Sequence, residues 1–66
     1  MAYVCKSIKD LKPGDRFLFD VDCTSTAKDV VIFDSFLSPF AHGHYLIDGI
    51  EIICENADDL YVYKIF

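Results

Sequence analysis

The chain is expected to be all-β: five antiparallel strands forming a small barrel or a strongly bent sheet, with little or no helix. Three observations lead there. Residues 16–22, 29–37 and 60–66 are rich in the aromatic and β-branched side chains that suit a pleated, half-buried surface. Two turn signals, Pro13-Gly14-Asp15 and Asp48-Gly49, punctuate these runs. The connector at residues 55–59 is too polar and too short for more than a single helical turn.

Taken in order, Ser7 to Asp15 reads as a lead-in and tight turn. Pro13 presets φ, and Gly14 supplies the positive φ that the third position of a type II turn requires. A strand follows at residues 16–22. Alternation places Phe17, Phe19 and Val21 on one face and Arg16, Leu18, Asp20 and Asp22 on the other. The polar Thr24-Ser25-Thr26 ends it. The next strand, residues 29–37, is the most apolar and therefore central. Pro39 and Gly43 predict a loop over residues 38–43. A hairpin then pairs residues 44–47 with 50–54 around Asp48-Gly49, a dipeptide suited to a two-residue type I′ turn. After the polar connector, residues 60–66 form the closing strand.

This arrangement resembles the small five-stranded barrels of the Src-homology-3-like and Tudor-like kind. The resemblance rests on the Pro-Gly-Asp turn before the first strand, the Asp-Gly hairpin between the third and fourth, and the polar turn into the last. It implies a fold and no particular activity, because such folds host many unrelated functions.

With 66 residues, a single domain spanning residues 1–66 is expected. A chain of this size buries only about 60% of its unfolded surface, so its stability is marginal. The apolar content of 53% exceeds the average of about 45–50%. It does not signal a membrane span, because the longest apolar run is Val30-Val31-Ile32-Phe33. The first residues lead at once to Lys6, Lys9 and Asp10 without the apolar core of a signal peptide, so a cytoplasmic location is expected. Three cysteines, Cys5, Cys23 and Cys54, are odd in number and widely spaced. They predict reduced, packed thiols and no disulfide framework.

The net charge of −5 comes from eleven carboxylates against six cations. Those cations stand interspersed with acids and form no basic stripe, which argues against direct nucleic-acid binding. His42, His44 and the cysteines are the residues closest to a zinc donor set. Without a Cys-x-x-Cys pair, the simpler reading is a polar loop, and no metal or cofactor is expected. Neither a strand-turn-helix elbow nor a Gly-rich phosphate loop is present, and no catalytic residue is assigned. Asp58 and Asp59 are adjacent and would face opposite ways if extended, so they make no carboxylate dyad. Asp20 and Asp22 share a strand face but lack the further oxygen ligands a cation needs.

The surplus apolar content falls on both faces of two strands. Val31, Phe33 and Leu37 alternate with Val30, Ile32 and Phe36, and Tyr61, Tyr63 and Ile65 alternate with Leu60, Val62 and Phe66. One interior cannot hide both sets. Tyrosine joins a large contact area to a polar tip and is enriched at interfaces. The expected function is therefore a non-enzymatic protein-binding module that engages another protein or its own copy. The candidate contact residues are Tyr61, Tyr63, Phe36, Ile32, Phe40, Asp58 and Asp59. An alternative uses the charge: a compact acidic protein can imitate a phosphate backbone and block a basic nucleic-acid-binding surface. In compactness and composition the chain resembles such inhibitors among phage and mobile-element accessory proteins.

Overall fold

The computed structural model describes residues 2–22 and 24–66. It is all-β. Six strands, β1 (Tyr3–Ser7), β2 (Arg16–Leu18), β3 (Val31–Leu37), β4 (Phe40–Tyr45), β5 (Glu51–Cys54) and β6 (Tyr61–Ile65), form one antiparallel sheet in the order β1-β6-β2-β3-β4-β5. Among the described residues, helix is limited to single 3-10 turns at Ile8–Asp10, Ala27–Asp29 and Ala57–Asp59.

Two expectations are corrected here. The sheet has six strands, because the N-terminal residues pair with β6 from Tyr3↔Ile65 to Ser7↔Tyr61. It is also open and not closed into a barrel, since β1 and β5 end the strand order as free edges.

The Pro13-Gly14 turn forms as anticipated. Asp15 N–H donates to Lys12 O at 2.9 Å, and Gly14 has φ +93°. The strand it opens stops at Leu18 and does not reach Asp22. Local bonding competes with the ladder, because Asp22 Oδ1 accepts from Thr24 N–H at 2.7 Å and from Thr24 Oγ1 at 2.6 Å.

The loop expected at residues 38–43 shrinks to Ser38 and Pro39, for Leu37 and Phe40 are already paired. Gly43 lies inside β4 because the strand needs a residue without Cβ there. An added Cβ would come within 2.8 Å of Ile32 O and 2.9 Å of Val31 Cγ1. The Asp48-Gly49 hairpin exists, but as a wider turn than type I′, which needs positive φ at both central residues. Only Gly49 has it, at +74°. The turn closes through Gly49 N–H to Tyr45 O at 2.9 Å, and Asp48 Oδ1 accepts from Ile50 N–H at 3.0 Å.

One face of the sheet carries the core. Phe17 from β2, Val31 and Phe33 from β3, Ala41 from β4 and Val62 from β6 cluster with Ile8, Leu11 and Ala57 from the 3-10 turns and the segment after the first. Burying each of the larger of these side chains, the Phe, Val, Ile and Leu residues, stabilises by about 1.5–3 kcal/mol. The register of β3 shifts between Phe33 and Ser35, so Asp34 bulges out. Past the bulge the parity inverts, and Phe36 packs on the core side opposite Ala41.

Candidate functional site

The sheet's other face, hereafter the outer face, has an apolar concentration at each end, and between them a hollow of about 260 Å³ lined by Arg16, Ala27, Val30, Leu46, Ile65 and Phe66. Strand register defines a row across all six strands: Tyr3, Ile65, Arg16, Ile32, His44 and Glu51. Tyr63 lies in the next row between Cys5 and Leu18, and Tyr61 lies beyond it opposite Ser7. Tyr3 and Tyr63 meet edge to face, with ring centroids 6.0 Å apart. Tyr61 is 63% exposed and Tyr3 46% exposed. At the far end, Phe40, His42, Ile53 and Glu55 line a shallow groove of about 570 Å³.

The structure therefore separates the predicted contact residues. Tyr61 and Tyr63 form the first concentration, joined by Tyr3. Phe40 belongs to the second, and Ile32 sits half-buried between them. Phe36 is on the core side. Asp58 is tied to the β3–β4 turn, with Ser38 Oγ 2.8 Å from both of its carboxylate oxygens, while Asp59 is exposed. Tyr3 and Ile53 escaped sequence reading. For Tyr3 the signal was the alternation of the N-terminal segment, and for Ile53 it was a position two residues from Glu51 and from Glu55.

His42 and His44 share the outer face, two residues apart on β4. His44 Nδ1 lies 2.9 Å from Asp34 Oδ2, which the bulge brings into reach. Cys54 is on the core side opposite Ala41, and Cys5 is exposed on β1. Burial pushes the Cys54 thiol up from its ordinary pKa, which favours the protonated form. Cys23 lies outside the described residues. Among the described residues, no three His, Cys, Asp or Glu side chains converge on a point where a metal could sit. Asp22 is held below the usual carboxylate range by hydrogen bonds from Thr24 and, more weakly, Ser25. Asp20, the other half of that pair, accepts Ser25 Oγ through its backbone carbonyl at 3.5 Å.

Charge is distributed less evenly than its interspersion suggested. Every Lys and Arg falls at residue 6, 9, 12, 16, 28 or 64, and none stands from Asp29 to Tyr63. That stretch holds seven of the eleven carboxylates, Asp29, Asp34, Asp48, Glu51, Glu55, Asp58 and Asp59. Strand order puts β3, β4 and β5 side by side, so this half of the sheet carries carboxylates with no Lys or Arg.

These features define an all-β protein built on an open six-stranded antiparallel sheet with two free edges. Among the described residues, no helix is long and apolar enough to cross a membrane. Scans against protein-family models, curated proteins and solved structures each find no match.

Proposed function

We propose that this chain is a small non-enzymatic binding module of the cytoplasm that buries the tyrosine end of its outer face against another protein, first of all a second copy of itself. The observation that carries this reading is the placement of Tyr3, Tyr61 and Tyr63 together on two neighbouring strands, with Tyr61 63% exposed. Aromatic residues clustered on one sheet face supply large contact area at little entropic cost. Self-burial would also add to the stability of so small a domain. A Src-homology-3-like strand arrangement is part of the same reading. It is supported by the succession β6-β2-β3-β4-β5 and by the 3-10 turn before the last strand, with β1 as an addition.

The test is the solution mass by light scattering across a dilution series. The wild-type protein is expected to run above monomer mass at high concentration. Tyr61→Ser should shift the association by at least about tenfold while leaving the melting curve within about 0.5 kcal/mol of wild type, since the side chain is exposed. Unchanged association in Tyr61→Ser would refute the tyrosine interface.

A second reading, an acidic mimic of a nucleic-acid backbone, is favoured by the stretch from Asp29 to Tyr63 with its seven carboxylates and no Lys or Arg. It requires partner binding that weakens steeply with salt.

A further inference from the structure

The opposite edge of the sheet suggests a second site, which goes beyond the tyrosine interface and does not depend on it. Among the described residues, strand β5 is paired only on its β4 side. Tyr45 N–H donates to Ile50 O at 3.0 Å, and the register continues through Gly43↔Ile52 and Ala41↔Cys54. Antiparallel pairs alternate in type, so the main chains of Ile52 and Cys54 point to β4. Those of Glu51 and Ile53 therefore point outward, with N–H and C=O groups free to pair with another strand.

Natural edges are usually blunted by lysine, proline, a bulge or a covering loop. β5 has neither Lys nor Pro. Instead, its outer-face side chains run acid, apolar, acid: Glu51, Ile53 and, just past the strand, Glu55. Ile53 is 62% exposed and, with Phe40, forms the apolar part of the groove that His42 and Glu55 complete. This pattern selects against a second copy of β5. The register that pairs Ile53 with its own symmetry mate sets Glu51 opposite Glu55, and like charges directly opposite destabilise a sheet. The absence of Lys and Arg from Asp29 to Tyr63 leaves the carboxylates of this half open to external cations.

We propose that the free edge of β5 takes up an extended basic segment of another protein as a seventh, antiparallel strand. The segment has an apolar residue over Ile53 and Lys or Arg opposite Glu51 and Glu55. Main-chain hydrogen bonds from Glu51 and Ile53 supply affinity independent of sequence, while the groove and the two glutamates select a cation-x-apolar-x-cation pattern.

The probe is a fluorescein-labelled peptide, Thr-Lys-Thr-Ile-Thr-Lys-Thr, followed by anisotropy against the full chain. Two control peptides carry Glu in place of Lys, or Pro in place of the three inner Thr and Ile residues. The lysine peptide should bind at least about tenfold tighter than either control, and binding should weaken in high salt. Glu51→Lys combined with Glu55→Lys should invert the preference in favour of the glutamate peptide. Because both substitutions are at exposed positions, the fold should persist, checked by an unchanged melting curve. In amide exchange, the Glu51 and Ile53 N–H groups should become protected when peptide is bound. Equal binding of the proline peptide would overturn strand addition and leave charge attraction alone. Equal binding of the glutamate peptide would overturn the basic preference, and absence of binding by the lysine peptide would overturn both. Tyr61→Ser should bind the lysine peptide as wild type does, so failure of the tyrosine interface and failure of this edge give different results.

Discussion

Gly43 is fully enclosed in the middle of the sheet, between Phe33 on β3 and Ile52 on β5. A methyl group there would meet a backbone oxygen of β3 at 2.8 Å, and backbone cannot swing aside as a long side chain can. Gly43→Ala is therefore expected to destabilise the protein by about 1–3 kcal/mol, the usual cost of overpacking. Thermal denaturation by circular dichroism should show a fall of at least several degrees, given about 4–8 °C per kcal/mol in domains of about 60–100 residues. A melting curve equal to wild type would mean that β3 and β4 are not so closely apposed. In sequence this glycine carries the same mark as a loop glycine. What separates the two is the backbone across the strand, which belongs to a residue eleven positions earlier and leaves no trace in the local pattern.

At the scale of the element, the bulge in β3 resolves the two apolar faces of that strand. A regular strand would send Phe33 and Phe36 to opposite sides. With Asp34 as the extra residue, Phe33 faces Gly43 and Phe36 faces Ala41, both on the core side, while Leu37 is left exposed. Without Asp34, Phe33, Ser35, Phe36 and Leu37 would oppose Gly43, His42, Ala41 and Phe40 in an unbroken ladder, so the bulge is the extra residue that lets Phe33 and Phe36 both face the core. The contribution of Phe36 is tested by Phe36→Ala, for which a loss of at least about 2 kcal/mol is expected in urea denaturation. A Phe36→Ala variant as stable as wild type would show that Phe36 contributes little to the core. The bulge also places the Asp34 carboxylate 2.9 Å from His44 Nδ1, so deleting Asp34 removes that contact on the outer face.

For the whole molecule, the order β1-β6-β2-β3-β4-β5 decides which surfaces exist. It brings the N-terminal Tyr3 beside Tyr63 and gathers β3, β4 and β5, with their carboxylates, at the other end. A chain of 66 residues has little core to spare, so an association through the tyrosine end should be visible in its stability. If the native protein self-associates and the unfolded chain does not, the melting temperature should rise as protein concentration rises. The comparison is a series of melting curves over a hundredfold concentration range. A concentration-independent midpoint, with monomer mass in light scattering, would direct the tyrosine face toward a different protein.

Several features were legible in the residues alone because their causes are local. The all-β class follows from β-branched and aromatic runs. The turn at Pro13-Gly14 follows from fixed and positive φ, the 3-10 turn at Ala57–Asp59 from a short polar connector, and the last strand from its alternation. The outward placement of Tyr61 and Tyr63 relative to the buried Val62 follows from the same period of two. The tertiary structure alone decided the rest. It paired β1 with β6, left β5 as a free edge, put Gly43 inside a strand and inverted the parity of β3 at Asp34. Each of these depends on which residues distant in the chain become neighbours. That is set by the joint burial of Phe17, Val31, Phe33, Ala41 and Val62 in one cluster, a quantity no local window contains.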